Sequence, residues 1–193
     1  MPKEKNSTIK EPLTKIEIGT AIKQDILENQ VKSVILGIGS NLGNKKLNIE
    51  KAKSKLEDFQ IKIIKCSSKY ESLSWPDIKK PKYINIIIKV ETEIKPLELL
   101  KICKLIEIDL GRKKTKKNAP RICDIDIIDY KGKNVSFISK NLFLPHPAMD
   151  SRNFVLLPLF EIDQTWIHPK TKDNIVKLIK SIPILDLRSI KQI

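Results

Sequence analysis

The sequence predicts an α+β fold in which an antiparallel sheet is covered by helices, and three observations lead there. Short β-branched runs alternate with stretches whose apolar residues recur at helical spacing. The segments follow one another as strand, helix, strand, strand, helix, strand. Glycine and proline punctuate the joints between them.

Taken in order, Val34-Ile35-Leu36 reads as a buried strand ending at Gly37, and Leu47, Ile49, Ala52, Leu56 and Phe59 as the apolar positions of the helix after it. Ile61 to Ile64 open a second strand. Residues 70–82, with Trp75, Pro76 and Pro81, read as a loop, and residues 83–92 as a long β-branched strand. Pro96 suits a first helical turn, where the N–H it lacks would have no partner in any case. Leu99, Leu100, Cys103 and Ile106 continue that helix, and Gly111 ends it. A basic loop then leads into a strand over residues 122–130, and further helices are expected near 153–162 and 174–182. The βαββαβ order is the ferredoxin-like one. Residues 1–32 are polar at first and then weakly amphipathic through Ile18, Ile22 and Ile26, so they read as an N-terminal extension, a mobile arm or short helix, ahead of one domain spanning 33–193.

With 193 residues and 40% hydrophobic content the chain has enough apolar material for a sizeable core. No apolar run approaches the ~20 residues of a membrane span, and the first thirty residues have no signal-peptide character. Cys66, Cys103 and Cys123 are odd in number and form no CxxC pair, which fits a reducing, cytoplasmic setting and suggests neither disulfides nor zinc. The net charge of +14 would attract polyanions without any specific site. Only four of the 37 basic residues are arginine, however, and lysine, isoleucine and asparagine crowd the whole chain. Each arginine is therefore informative, since guanidinium grips phosphate in a planar, bidentate way that lysine cannot reproduce.

On the strand that contains them, Asp124 and Asp126 project to one face while Ile125 and Ile127 project to the other. Two carboxylates about 7 Å apart on a rigid strand can straddle magnesium. The preceding residues 112–121 hold six basic side chains, Arg112, Lys113, Lys114, Lys116, Lys117 and Arg121, and no acid. Metal ligands beside a positive clamp suit a metal-bound polyphosphate, whose transfer needs cationic donors to absorb developing charge. Such a loop should be mobile without nucleotide and ordered with Mg-ATP. His146 and Arg152 lie within a few residues of each other and form a second candidate phosphate-contacting loop. Tyr83 and Asn85 share a strand face, placing an aromatic plate beside an amide that both donates and accepts. The glycines of residues 37–43 fit neither the GxGxxG nor the GxxxxGK[ST] fingerprint, although their permissive backbone would let a flat ligand approach the strand end.

The motifs GSNLG (39–43), KYIN (82–85), LLKICKLIEIDLGR (99–112), PRICDIDIIDY (120–130), LPHP (144–147) and RNFVLLPLFEI (152–162) together resemble the 6-hydroxymethyl-7,8-dihydropterin pyrophosphokinases of folate biosynthesis. The resemblance implies transfer of pyrophosphate from ATP to the pterin hydroxymethyl group, with release of AMP. It implies two magnesium ions on Asp124 and Asp126, and ATP contacts from Glu107, Arg112, Lys114, Arg121, His146 and Arg152. The pterin would lie between Tyr83 and Phe154, with Asn85 at its ring edge and Gly39, Ser40, Ser72, Leu73 and Trp75 bordering it. Asn118 and Ala119 stand where the family usually has tryptophan and glycine. The expected partners are these small molecules, with neither nucleic acid nor membrane, and a monomer is expected. The competing reading is a basic nucleic-acid-binding module on a ferredoxin-like sheet. It is disfavoured by an aromatic content of only 5% and by two aspartates that would repel phosphate unless metal intervened.

Overall fold

The computed structural model describes residues 33–113, 116 and 118–193. The expected N-terminal extension, residues 1–32, lies outside them. The first strand, β1 (Ser33–Ser40), is followed by α1 (Lys45–Asp58), β2 (Lys62–Cys66), β3 (Tyr70–Ser72) and β4 (Tyr83–Glu91). Next come α2 (Pro96–Asp109), β5 (Asp124–Tyr130), a small hairpin of β6 (Val135–Phe137) and β7 (Leu142–Leu144), and α3 (Asn153–Ile162). The chain closes with α4 (Ile175–Ser181), α5 (Ile184–Arg188) and β8 (Lys191–Gln192).

The main sheet runs β5-β1-β4, with β2 and β3 sharing the far edge of β4, and every pairing is antiparallel. This is the βαββαβ arrangement expected from the order of segments, with α1 and α2 on one face. Strand alternation explains why the helices lie there: Val34, Leu36, Ile38, Ile84, Ile86, Ile88, Ile125 and Ile127 form one apolar surface against Ile49, Ala52, Leu56, Leu99, Cys103 and Ile106. Leu47 and Phe59, read as core positions of the first helix, are exposed instead. Leu47 falls on the helix face opposite Ile49, and Phe59 is the residue after the last turn. Pro96 does occupy the first turn of α2, and Gly111 leaves it with φ +99°, a conformation only glycine adopts at no steric cost.

The opposite face is divided. At one end Ile35, Ile87 and Ile128 pack beneath Val155, Leu156, Leu159, Trp166, Ile175 and Leu178, so α3 and α4 form a second core. At the other end no helix among the described residues covers the sheet, and the residues facing out there are Gly37, Gly39, Tyr83, Asn85, Asp124 and Asp126. A bulge marks the boundary. Leu36 pairs with Ile127 but Ile35 pairs with Asp129, so Ile128 is an extra residue on β5. The bulge turns Asp129 toward the second core, where its carboxylate accepts from Trp166 Nε1 at 2.9 Å and from Gly132 N at 3.1 Å.

Several boundaries differ from the sequence expectation. β1 continues past Gly37 to Ser40 because Gly39 and Ser40 still pair with Asn85 and Ile84. Tyr70–Ser72, inside the expected loop, form a strand because β4 is long enough to hold two partners end to end. β5 starts at Asp124 rather than at Ile122.

Candidate active site

The uncovered half of the sheet is the floor of a cavity of about 510 Å³. β1 contributes Gly37 and Gly39, β4 contributes Tyr83 and Asn85, and β5 contributes Asp124 and Asp126. One wall comes from Lys104 of α2 and from Arg112, Asn118 and Arg121; the other comes from His146, Arg152 and Phe154. Ser72, Leu73 and Trp75 border the rim, with Trp75 largely exposed.

The carboxylates differ in how they are held. Asp124 accepts from Arg112 Nη1 at 2.7 Å on one oxygen and from Arg121 Nη1 at 3.0 Å on the other. Arg112 also pairs with Glu107, a side chain only 1% exposed, whose other oxygen accepts from Lys104 Nζ at 2.8 Å and from the backbone N–H of Ile125 at 2.7 Å. Buried charge is tolerated when it is paired and fully hydrogen-bonded, and Glu107 meets both conditions. Asp126 has no such clamp. No side chain among the described residues donates a hydrogen bond to it, and burial, then the negative charge of Asp124, push its carboxyl above the usual range. An unclamped carboxylate beside an arginine-held one fits a divalent cation completed by phosphate oxygens, the usual mode for magnesium. Among the described residues no third carboxylate, histidine or cysteine joins them in a metal-sized cluster.

Across the cavity, His146 is half-buried, and that burial followed by the nearby Arg152 pushes its imidazole down to about 4. The ring is therefore neutral near pH 7. Nδ1 accepts from Ala148 N at 3.2 Å, which leaves the proton on Nε2 as a hydrogen-bond donor. The backbone N–H of His146 donates to Ile128 O at 2.8 Å, so the β5 bulge also anchors this loop. Arg152 lies 5.6 Å from the centre of the Phe154 ring and covers its face.

Asn85 is held in one orientation by donating to Ser72 Oγ at 2.9 Å. A Cβ at Gly39 would stand 2.9 Å from Asn85 Oδ1 and 3.4 Å from Tyr83, so glycine is required there by contact rather than by backbone conformation. Tyr83 is half-buried, and burial raises its phenol.

The structure thus gathers Gly39, Ser72, Leu73, Trp75, Tyr83, Asn85, Arg112, Arg121, Asp124, Asp126, His146, Arg152 and Phe154 around one cavity. Two sequence candidates lie elsewhere. Ser40 faces away from the cavity, fully buried, and accepts from Asn48 Nδ2 at 3.1 Å, because strand alternation sends it opposite to Gly39. Glu107 lies behind Arg112 rather than in the cavity wall. Lys114 is outside the described residues, so the expected ordering of residues 112–121 concerns a segment described only in part. Sequence reasoning missed Lys104 and Asn141 in the lining. Lys104 stands one turn before Glu107 on the same helix face, a signal that was available; Asn141 lies in the β6–β7 connection, which had no sequence signature.

Residues 35–164 match the family model for 7,8-dihydro-6-hydroxymethylpterin-pyrophosphokinase (HPPK). A 2-amino-4-hydroxy-6-hydroxymethyldihydropteridine pyrophosphokinase of Aquifex aeolicus is 41% identical over 137 residues, covering 71% of this chain and 84% of that one. A folic acid synthesis protein of Dictyostelium discoideum is 44% identical over 136 residues, 70% of this chain but only 20% of the relative. A solved HPPK-DHPS chain of Plasmodium falciparum with pteroate superposes with a TM-score of 0.61 at 17% identity, over 77% of this chain and 42% of that chain, which supports the fold. No described helix is long and apolar enough to cross a membrane. By the family match and by its likeness to the Aquifex relative, the chain belongs to the 7,8-dihydro-6-hydroxymethylpterin-pyrophosphokinase family.

Proposed function

We propose that this chain transfers pyrophosphate from magnesium-bound ATP to 6-hydroxymethyl-7,8-dihydropterin and releases AMP, at the cavity described above. The observation that carries the reading is the pairing of arginine-held Asp124 with unclamped Asp126 on one strand face, within the same cavity as Tyr83, Asn85 and Phe154. Magnesium, when bound, supplies charge neutralisation at the phosphate oxygens. Asp124 and Asp126 are the residues to hold it, and two carboxylates supplemented by phosphate suit two ions.

The remaining steps belong to the protein's own groups. Arg112 and Arg121 hold positive charge beside the carboxylates, and Arg152 holds it across the cavity, so charge developing on transferred phosphate meets donors already in place. Neutral His146 offers Nε2–H as a further donor. Tyr83 and Phe154 offer two aromatic walls to a flat bicyclic ring, and Asn85, fixed by Ser72, presents its amide to the ring edge. Positioning of this kind converts an encounter of two substrates into a reaction within one site. Asp124 and Asp126 would repel a phosphodiester backbone, which argues against the nucleic-acid-binding alternative.

The test is Asp126→Asn. It removes one negative ligand with little change in volume, so it should abolish AMP formation and magnesium dependence while leaving thermal unfolding near wild type. Retention of near-wild-type turnover would remove Asp126 from the metal site.

A further inference from the structure

Asn41 follows β1 directly, is 3% exposed, and has no place in the cavity lining. Every polar group of its side chain is nevertheless engaged. Its Oδ1 accepts from the backbone N–H of Arg121 at 2.7 Å, and its own N–H donates to Arg121 O at 3.1 Å. On the other side its Nδ2 donates to Pro81 O at 3.1 Å and to Ser74 Oγ at 3.3 Å, while Ser74 Oγ donates to Pro81 O at 2.6 Å. The amide therefore joins two segments that no strand pairing connects. One is the loop between β3 and β4, which carries Leu73 and Trp75 at the cavity rim; the other is the residue whose guanidinium holds Asp124. A second bond ties the same segments further out, from Lys80 Nζ to Asn118 O at 2.9 Å.

We infer that Asn41 is a positioning residue that couples the loop bordering the ring-binding end of the cavity to the Arg121 clamp, so that filling one end of the site favours the closed arrangement of the other. The inference rests on the proposed pyrophosphokinase reading. Its physical basis is the geometry of a primary amide: one acceptor and two donors on a short, rigid side chain, each used, and each costly to leave unpaired in a buried place. Aspartate in the same position would still accept from Arg121 N. It would present a carboxylate oxygen to the Pro81 carbonyl, where a donor is required, and so would cut the link on one side only.

The test compares wild type with Asn41→Asp. The dissociation constant for 6-hydroxymethylpterin is measured by calorimetry with and without a non-hydrolysable ATP analogue plus magnesium, and the ratio of the two constants reports the coupling between the ends of the site. Wild type should show tighter pterin binding with the analogue present, by about fivefold or more, and the variant should bring the ratio close to one with little change in analogue affinity, even though the unpaired carboxylate lowers its melting temperature. A residue that merely stabilised the fold would lower the melting temperature and leave the ratio intact; that result, or an active wild type with a ratio of one, overturns the inference. Should Asn41→Asp fail to fold, Ser74→Ala, which removes one partner of the amide and the second bond to Pro81, should reduce the ratio in the same direction, and an unchanged ratio there overturns it equally. A wild type that neither binds the pterin nor forms AMP marks failure of the pyrophosphokinase reading instead.

Discussion

Replacing Glu107 by glutamine removes one negative charge from the middle of a buried cluster at nearly constant volume. The carboxylate holds Arg112, Lys104 and the N–H of Ile125 at once. Glutamine keeps an oxygen for Ile125, but its NH2 group then faces a guanidinium, donor against donor. Removing one partner of a buried ion pair costs about 3–5 kcal/mol when the other is left uncompensated. Arg112 keeps Asp124 at 2.7 Å and is 28% exposed, and Lys104 is 44% exposed, so solvent takes up part of the loss. A destabilisation of about 2 kcal/mol is the expected result, or roughly 4–8 °C in melting temperature for a domain of this size. Urea titration and thermal unfolding measure it, and the Michaelis constant for ATP should rise as Arg112 loses its rear anchor. A variant within about 0.5 kcal/mol of wild type, the range of ordinary surface changes, would refute the idea that Glu107 organises the clamp.

Two further perturbations follow from the geometry. Gly39→Ala places a methyl group 2.9 Å from Asn85 Oδ1, and Asn85 is pinned from behind by Ser72, so pterin affinity should fall by about tenfold or more with ATP-analogue affinity unchanged; equal affinity for pterin in calorimetry would detach Asn85 from ring recognition. Asp129 is 1% exposed, and burial pushes its carboxyl from 3.8 up to about 6, so the folded state binds this proton more tightly than the unfolded one and stability is lost as pH rises from 3.8 through 6. Asp129→Asn lacks that titration, and the stability of the variant relative to wild type should therefore move in the variant's favour by about 2 kcal/mol between pH 4 and pH 7. Urea denaturation at the two pH values reads the difference, and a pH-independent difference would show that Asp129 keeps an ordinary proton affinity.

Much of this site was legible because strand alternation needs only the local sequence. Asp124 with Asp126, and Tyr83 with Asn85, fall on shared faces by the same rule that sends Ile125 and Ile84 into the helix-covered core. That rule also turns Ser40 away from the cavity. The sequence reading ended β1 at Gly37 and treated residues 39 and 40 as loop, so the alternation was not carried to Ser40; the long pairing with β4 extends the strand. What stayed hidden depends on partners distant in the chain. The extra residue Ile128 is visible only against β1, and it decides that Asp129 meets Trp166, 37 positions away, rather than solvent. β3 is a strand because β2 pairs with only one half of the β4 edge opposite β1 and leaves the other half to Tyr70–Ser72. Glu107 carries a helical signature that placed it correctly on α2, but whether it faces ligand or supports Arg112 is settled by the 1% exposure of its side chain, which no pattern of letters encodes.

The central claim, that the chain moves a pyrophosphoryl rather than a phosphoryl group, is tested most directly by phosphorus NMR of a reaction containing ATP, magnesium and 6-hydroxymethyl-7,8-dihydropterin. The account predicts AMP and a pterin diphosphate accumulating in equal amounts, with no ADP, and only when all three components are present. ADP with a pterin monophosphate, or AMP and inorganic pyrophosphate without any pterin product, would contradict it.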